Sequence, residues 1–323
     1  MNPLISICVT TRHRPALLKV ALEGLTRQKY RPLEIIIGDN SENDDSRAVV
    51  ESIAWPDGVT VHYHRHQPST DVVQNTNWAF DRASGGRIML HHDDDVLCDG
   101  GLDKLVAAWD NYPNTAATFG KLYLINEAGE LLEEQTEQTN REHCRTAEYA
   151  GHKLSNLESG LRGQFPMNSY LMDAALLKRV KWRPLEVVGI WTDGDFGIQA
   201  GIAAGERPFV YVDEFVFKYR LTTVSLVRSR DVEYGHLLYL EELKKLKVPL
   251  ESEPSWHRLL ETVTRCAVVS AARAGNRTKA FALLRSVHYN RSWLHPATLY
   301  RIMYILSPAL TRTCNRIVRG LPS

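Results

Sequence analysis

Apolar runs and amphipathic segments alternate through the first part of the chain. The apolar runs predict strands, which read LISICVT (4–10), LEIIIGD (33–39), VTVHYH (59–64), RIML (87–90) and TAATFGKLYLI (115–125). Between these runs, apolar residues recur every three to four positions, as on one face of an amphipathic helix. The predicted helices cover residues 16–28, 44–53, 71–83 and 102–109. This alternation favours an α/β fold, with a mostly parallel sheet and helices on both faces.

The pattern changes in the middle of the chain. Residues 132–165 are polar and poorly periodic, and they predict a long loop or insertion over one edge of the sheet. Regular periodicity then predicts a strand and helix at 169–180, a helix from Asp193 to Gly205, and a strand at 209–220. From about Arg228 onward only helices are predicted, separated by proline and glycine. We therefore expect two regions, an α/β domain at 1–227 and a helical region at 228–323.

Composition excludes several classes of protein. The chain has 323 residues, of which 44% are hydrophobic and 24% are charged, which is typical of soluble globular proteins with room for one large and one smaller domain. No apolar run approaches the ~20 residues of a membrane-spanning helix. The five cysteines are widely spaced and form no CxxC pair, which argues against a disulfide framework or zinc site and favours a reducing cytoplasm. The first apolar run lacks a preceding basic region, so it predicts a strand rather than a signal peptide.

Charge is divided unequally along the sequence. The formal net charge is +1, but residues 262–323 contain ten Lys or Arg and no acidic residue, so they carry +10 and residues 1–261 carry −9. The basic region also contains apolar and aromatic residues, among them Trp293, Tyr300 and Tyr304. A helix with an apolar face and a cationic rim binds anionic membrane surfaces, and the alternative is that these helices pack on the acidic domain. Both interpretations stay open, and nucleic acid is not an expected partner because the region lacks a recognisable motif.

A run of three acidic residues follows one of the predicted strands. The run Asp93–Asp95 comes soon after the strand at 87–90, and Asp39 and Thr10 end two other strands. Neighbouring carboxylates repel one another, and burying them without partners is costly, so the run is either a solvated turn or faces a divalent cation. In sheets of this kind, ligands bind outside the carboxyl ends of the strands. The positions of these residues therefore predict a site at that edge.

Five segments together resemble a known family. In chain order they are ISICVTTRHRP, LEIIIGDNSENDDS, the helix containing Asn77 with the following ASGGRIMLHHDDDVL, WTDGDF, and YRLTTVS, spread over about residues 4–225. This set is similar to the inverting family 2 glycosyltransferases of GT-A fold (SpsA-like nucleotide-diphospho-sugar transferases), which transfer a sugar from a nucleoside diphosphate donor. The resemblance implies a Rossmann-like GT-A domain, followed here by the helical C-terminal region. One such segment alone is unspecific, whereas five in the family's order are specific.

The resemblance assigns roles to the acidic run. In the family, the last Asp of the DxD block commonly contacts the metal and the first faces the ribose. This implies metal binding by Asp95 and Asp93, and nucleotide contacts by Asp93 and Asp94. The implied cofactor is Mn²⁺ or Mg²⁺, hard cations that prefer carboxylate oxygens and stabilise a leaving diphosphate as Lewis acids. Relatives often have a histidine after the YR segment, but Leu221 and Thr222 stand there, which leaves a third protein ligand open.

Other motif positions match the nucleotide. Asp39 resembles the acid that accepts a hydrogen bond from uracil, and the alternative for it is a turn or helix-cap role. Thr10 is expected to contribute backbone contacts. Arg12 and Arg14 match positions that neutralise phosphate or contact the base, and a solvated turn is the alternative for both. Asn77 is expected to be structural, because its helix mostly faces the core.

The WTDGDF segment matches the motif that supplies the catalytic base. Inversion by direct displacement needs one carboxylate to take the proton of the acceptor hydroxyl. The resemblance implies that Asp193 is this base, with Asp195 as the second candidate. A helix cap is the alternative role for Asp193.

These observations predict a metal-dependent, inverting glycosyltransferase that uses a nucleotide-sugar donor, UDP-sugar above all. The expected acceptor is a glycan or a lipid-linked molecule in surface polysaccharide biosynthesis. The expected location is the cytoplasm, with peripheral contact to the inner face of the membrane. Two alternatives stay open: a nucleotidyltransferase of similar fold, although TTRHRP lacks the glycine of the usual phosphate loop, and a non-catalytic nucleotide-sugar-binding or membrane-associated scaffold module.

Overall fold

The computed structural model describes residues 2–222 and 235–307. Two compact units can be distinguished along the chain: Met1–Arg183 with Asp193–Thr223, and Pro184–Thr192 with Val224–Ser323. The first unit contains the sheet, and the described part of the second is helical. The predicted domain boundary between residues 227 and 228 lies outside the described residues and stays a prediction.

One mixed sheet contains the eight strands of the described residues. The strands are β1 (Ile5–Thr11), β2 (Leu33–Asp39), β3 (Val59–Arg65), β4 (Arg87–His92), β5 (Val96–Leu97), β6 (Ala117–Ile125), β7 (Leu171–Asp173) and β8 (Phe209–Arg220). Their order across the sheet is β3-β2-β1-β4-β7-β6-β8-β5. The first four strands in this order pair in parallel, as do β6 and β8, whereas β7 and β5 run antiparallel to their neighbours. The predicted α/β fold is confirmed.

Helices connect the strands and make up the described part of the second unit. They are α1 (Pro15–Thr26), α2 (Asp45–Ser52), α3 (Val72–Arg82), α4 (Gly101–Asn111), α5 (Glu133–Glu142), α6 (Asn156–Leu161), α7 (Ala174–Val180), α8 (Leu185–Val188), α9 (Thr192–Ala204), α10 (Gly235–Lys245), α11 (Glu253–Arg273), α12 (Arg277–Leu284) and α13 (Pro296–Leu306), with 3₁₀ turns at Ala147–Tyr149 and Leu250–Ser252.

The central strands and α1 show why these residues form these elements. β2 is buried along its whole length and β1 nearly so, as expected of parallel strands covered on both faces. α1 begins at Pro15, which lacks the N–H that a first-turn residue would leave unpaired. The helix buries Leu18, Leu22 and Leu25, which recur at helical spacing along one face.

One sequence prediction was wrong. Residues 132–165 are not a long loop, because they contain α5, a 3₁₀ turn and α6. α5 buries only Thr136 and Asn140, which lie one helical turn apart and bind the backbone of β6. Thr136 Oγ1 accepts from the N–H of Leu124 at 2.9 Å, and the Asn140 amide accepts from the N–H of Leu122 at 3.3 Å and donates to its carbonyl at 2.8 Å. The helical period is thus carried by polar residues, which apolar periodicity does not reveal.

Two strand ends meet where the acidic run lies. β4 ends at His92, and β7 begins at Leu171 and runs antiparallel beside it. The residues just before β7 therefore lie next to the end of β4, and the N–H of Ser169 donates to the carbonyl of Leu90 at 2.7 Å. On the other side β1 runs parallel to β4, with Thr10 opposite His92. This arrangement brings three distant segments of the chain to one place.

The second unit, in its described part, is built around α11. This helix is 21 residues long, and α10, α12 and α13 pack against it. Among the helices of the described residues, none combines the length and the apolar character that crossing a bilayer requires.

Candidate active site

The turn after β4 shields acidic side chains from bulk water. Asp93 is 5% exposed and Asp95 is fully buried, whereas Asp94 is partly exposed. The Thr11 hydroxyl donates to Oδ2 of Asp93 at 2.6 Å. The Arg14 guanidinium lies 3.5 Å from Oδ1 of Asp93 and 2.8 Å from Oδ2 of Asp94. The acidic run is therefore not a solvated turn, which was the alternative that the sequence left open.

Asp95 is fixed by hydrogen bonds from two distant parts of the chain. The backbone N–H of Arg220 donates to its Oδ1 at 2.8 Å, and the side-chain amide of Asn168 donates to its Oδ2 at 2.8 Å. The Arg220 guanidinium also donates to the backbone carbonyl of Asp94 at 2.9 Å and to two carbonyls of the turn after β6. Arg220 therefore ties the acidic turn to the ends of both β6 and β8.

Asn168 determines which nitrogen of His92 carries a proton. Its Nδ2 donates to Oδ2 of Asp95 at 2.8 Å, so the amide nitrogen is the atom on that side. The same nitrogen lies 3.0 Å from Nδ1 of His92, which is therefore an acceptor, and the neutral ring has its proton on Nε2. The amide oxygen accepts from Ser169 at 2.6 Å. Ser169 has a φ of 58°, in the left-handed region that serine seldom adopts.

Three side chains of this turn are close enough to share a metal ion. One ligand atom each from His92, Asp94 and Asp95 lies within 4.8 Å of the others. The two carboxylates suit a hard cation such as Mg²⁺ or Mn²⁺, so this donor set fits the expected cofactor. Since Nδ1 of His92 is already a hydrogen-bond acceptor, the carboxylates are the ligands that need no rearrangement. Asp93, the second expected ligand, is not part of this group, and its metal contact stays a prediction.

Burial and mutual repulsion change the protonation of the turn. Burial, reinforced by the charge of Asp94, raises the pKa of Asp93 to about 7. The same two causes raise the pKa of Asp95 well above its usual value. Burial lowers the pKa of His92, which favours the neutral ring at neutral pH. A cation bound among these carboxylates would relieve their repulsion, so the electrostatics favour metal binding.

Asp39 is completely buried at the end of β2. The N–H of Ser41 donates to its Oδ1 at 2.7 Å, and the Tyr63 hydroxyl donates to its Oδ2 at 2.6 Å. Burial and this bond to Asp39 raise the pKa of Tyr63, so the phenol keeps its proton. Each carboxylate oxygen can accept a second hydrogen bond, and the expected contact of Asp39 with uracil stays a prediction.

Side chains at the end of β1 and just after it contact the acidic turn. Thr10 is partly exposed and Arg12 is exposed. The side chains that bind the acidic turn are those of Thr11 and Arg14. The expected nucleotide contacts of Thr10, Arg12 and Arg14 stay predictions.

Asp193 and Asp195 lie in the first turn of α9 but have different partners. Asp195 is 2% exposed, and the Arg183 guanidinium donates to both of its oxygens, at 2.7 and 2.6 Å. Asp193 is partly exposed and accepts from the N–H of Gly194 at 2.8 Å. Burial raises the pKa of Asp193, and its charge interacts with His92. Asp195 is thus a structural ion-pair partner, whereas Asp193 keeps acceptor capacity beside the acidic turn.

Several residues that hold this site were not predicted from the sequence. They are Thr11, Asn168, Arg183 and Arg220. Thr11 and Arg220 lie inside the quoted segments ISICVTTRHRP and YRLTTVS, so a signal was available for both. Asn168 and Arg183 lie outside every quoted segment. Asn77 binds the backbone just after α7 through two hydrogen bonds, which agrees with its expected structural role.

Comparison with known proteins shows which family and which solved structures this chain is similar to. Residues 6–157 match the sequence profile of Glycosyl transferase family 2. This part of the chain is therefore similar to that family. A GalNAc(5)-diNAcBac-PP-undecaprenol beta-1,3-glucosyltransferase of Campylobacter jejuni is 32% identical over 133 residues, which cover 41% of this chain and 42% of that protein. An uncharacterized glycosyltransferase of Methanocaldococcus jannaschii is 22% identical over 250 residues, which cover 76% of this chain and 77% of that protein. The chain thus matches less than half the length of the C. jejuni relative.

Solved structures share the fold of this chain. S. aureus TarS 1–349 in complex with UDP-GlcNAc has a TM-score of 0.57 at 15% identity, covering 88% of this chain and 90% of that one. The mannosyltransferase PcManGT from Pyrobaculum calidifontis, in complex with GDP-Man and Mn²⁺, has a TM-score of 0.58 at 14% identity, covering 96% of this chain and 88% of that one. At such identities the likeness concerns the fold, and the expected GT-A fold is confirmed.

Proposed function

We propose that this chain is a metal-dependent, inverting glycosyltransferase that moves a sugar from a nucleoside diphosphate donor to an acceptor hydroxyl. The observation that carries the proposal is the position of Asp193, which retains acceptor capacity and interacts electrostatically with the buried turn after β4. A base and a cation-binding acidic turn are the two components that this reaction needs. Similarity of residues 6–157 to family 2 supports the same reaction class.

Asp193 is the proposed general base. As the acceptor oxygen attacks the anomeric carbon, Asp193 takes its proton, the new C–O bond forms, and the bond to the nucleoside diphosphate breaks on the opposite face. The configuration at that carbon inverts as a result. A raised pKa makes Asp193 a stronger base than a solvated aspartate. Asp195 could act in this way only by giving up its ion pair with Arg183.

The acidic turn is the proposed binding site for the leaving diphosphate. Asp94 and Asp95 would hold Mn²⁺ or Mg²⁺, which as a Lewis acid stabilises the charge that develops on the leaving group. Asn168 keeps Asp95 oriented through its amide. Arg14 binds Asp94 and limits the rotation of that carboxylate, so that its ligand oxygens are already positioned when the donor binds.

The proposed donor is a UDP-sugar, and the proposed acceptor is a glycan or a lipid-linked molecule of surface polysaccharide biosynthesis. Asp39 supports the choice of uracil, because it is a buried acceptor at the end of β2 with lone pairs to spare. TarS in complex with UDP-GlcNAc and PcManGT in complex with GDP-Man share this fold, so both bases are tested below. The name of the C. jejuni relative includes a lipid-linked acceptor, and action on such an acceptor would bring the enzyme to the inner face of the membrane.

Binding and turnover can be tested separately. Titration calorimetry with UDP and GDP, with and without Mn²⁺, should show UDP binding that is tighter with the metal. Asp95→Asn should abolish the increment from the metal. Asp99→Asn is the matched control, because Asp99 lies on the surface in an exposed ion pair with Arg27, and it should behave as the wild type.

Turnover is then measured as hydrolysis or transfer over a panel of nucleotide-sugars. Equal UDP binding with and without metal would contradict the metal dependence. Binding without turnover of any donor, over a range of glycan and lipid-linked acceptors, would favour the scaffold alternative.

A further inference from the structure

We infer that α13 and the connection before it form a surface that binds anionic lipid headgroups. This inference rests on the proposed lipid-linked acceptor and specifies which part of the second unit meets the membrane. We call this part the lipid-facing surface, and its members are Arg285, Val287, Arg291, Trp293, Leu294, Leu299, Met303 and Leu306.

Within the described residues 2–222 and 235–307, α13 leaves an apolar stripe exposed. Leu299, Met303 and Leu306 are 49%, 41% and 56% exposed, and their spacing of four and three residues aligns them along one face of the helix. Tyr304 and Ile305 are buried in the second unit. The helix is therefore apolar on its exposed face as well as its buried one, which is typical of a helix that still needs an apolar partner.

The connection between α12 and α13 also exposes apolar side chains, those of Val287, Trp293 and Leu294, which we call the apolar tips. Val287 is 90% exposed and Leu294 is 83% exposed. Trp293, directly beside Leu294, is about half exposed, at 48%, and tryptophan prefers the boundary between headgroups and acyl chains. Apolar side chains that project singly from a connection can enter that boundary without requiring a complementary groove.

The charge around these side chains is positive. Residues 262–307 contain seven Lys or Arg and no acidic residue. Arg285 is exposed and Arg291 is partly exposed, and both lie in the connection that carries the apolar tips. Arg277 donates to the backbone carbonyl of Leu306 at 3.0 Å, so a further cation lies at the end of the stripe. Glu261 is the neighbouring acid and is bound by Asn290 at 2.8 Å.

The positive charge indicates which kind of partner the lipid-facing surface binds. A second copy that docked through the same surface would bring the same cations, and like charges repel. Residues 308–323 contain three arginines and no acidic residue, so they offer no complementary charge either. An anionic lipid surface complements the cations and also accepts the apolar tips. An acidic protein would match the charge alone, and it is treated as an outcome of the test.

Vesicle flotation with the full chain tests this inference. The protein should float with phosphatidylcholine vesicles that contain phosphatidylglycerol, should not float with pure phosphatidylcholine, and should be released by salt because salt screens the attraction. Arg285→Gln combined with Arg291→Gln should weaken binding roughly 30-fold, as expected for two basic residues at a charged surface. Leu294→Ser combined with Met303→Ser should also weaken it.

Matched controls lie elsewhere on the second unit. Leu250→Ser and Arg258→Gln change an exposed leucine and an exposed arginine outside the lipid-facing surface, and both should float as the wild type does. Asp193→Asn should float as well, so a failure of sugar transfer leaves this measurement intact.

Three outcomes would overturn the inference. One is no flotation with anionic vesicles at low salt. Another is equal weakening by the control variants, which would assign binding to a different surface. The third is a dimer, or a complex with an acidic protein, that Met303→Ser disrupts while vesicles stay unbound.

Discussion

At the scale of single residues, an arginine separates the roles of two similar aspartates. Asp193 and Asp195 lie in the same helical turn, and the motif alone allows either to be the base. Arg183 holds both oxygens of Asp195, whereas Asp193 accepts from the N–H of Gly194 and interacts with the acidic turn. The ion pair therefore favours Asp193 over Asp195 as the proposed base.

Substituting these two aspartates should give different defects. Asp193→Asn keeps the shape and removes the base, so turnover should fall roughly 10²- to 10⁴-fold while UDP affinity and thermal stability stay unchanged. Asp195→Asn removes the negative charge from the buried ion pair with Arg183, and the free energy of unfolding should fall by up to about 3 kcal/mol. Transfer assays, calorimetry and thermal unfolding of both variants check this. Loss of turnover in Asp195→Asn with unchanged stability would exchange the two roles.

Asp93 should give the metal-free protein a specific dependence on pH. Its pKa is about 7 in the folded chain and about 3.9 when unfolded, so the folded state binds more protons between these values. Its contribution to stability is therefore lost as pH rises from about 4 through 7. His91 acts in the opposite direction, because burial lowers its pKa to about 3 and the unfolded state then binds more protons up to about pH 6.5.

Asp93→Asn removes the first of these two effects and leaves the second. In the presence of a chelator, the stability of the variant relative to the wild type should improve between about pH 5 and about pH 8, by an amount on the order of a few kcal/mol. Thermal unfolding at several pH values measures the difference. A difference that stays constant with pH would mean that Asp93 is ionised throughout this range.

At the scale of elements, α5 is held to the sheet by hydrogen bonds rather than by an apolar face. Thr136 and Asn140 satisfy backbone groups of β6 that its neighbour β7 is too short to pair, since β7 pairs only with Ala117 and Thr118. The sequence predicts the apolar strands well, and the predicted run at 33–39 is β2 itself. It does not predict α5, because a helix that buries two polar residues has no apolar stripe.

Removing this connection should destabilise the protein. Asn140→Ala leaves the N–H and the carbonyl of Leu122 buried without partners, so the free energy of unfolding should fall by about 2 to 4 kcal/mol. Urea denaturation followed by circular dichroism measures the loss. Gln138→Ala is the control, because Gln138 is exposed on the same helix and binds Glu142 there, and it should change stability by no more than about 0.5 kcal/mol. A loss of the same size in both variants would show that the contact of Asn140 with β6 is not responsible.

At the scale of the whole molecule, charge and structure divide the chain at different points. The last acidic residue, Glu261, lies within α11, so the charge boundary falls inside a continuous helix. Acidic residues in the first half of that helix and basic residues in the second complement its dipole. A change in charge along a sequence is thus a property of surfaces and need not mark the end of a compact unit.

The arrangement of the strands in the whole molecule explains which parts of the site the sequence predicts. The acidic turn and Asp39 follow apolar strands, so the fold class alone assigns them to one edge of the sheet. Asn168 and Arg183 act through contacts with residues distant in sequence or carried by another element. Such contacts depend on how the chain returns to the sheet, which local patterns do not encode.

The antiparallel pairing of β4 with β7 also determines where the chain tolerates changes in length. Between β5 and β7 the chain forms α4, returns to the sheet as β6, and then forms α5 and α6. An insertion at the exposed turn of residues 112–114 leaves the register of Met89 with Leu171 unchanged. One extra residue between Ser169 and Leu171 would instead turn every side chain of β7 to the opposite face. We therefore expect homologous chains to differ in length at this exposed turn more readily than in the few residues that precede β7.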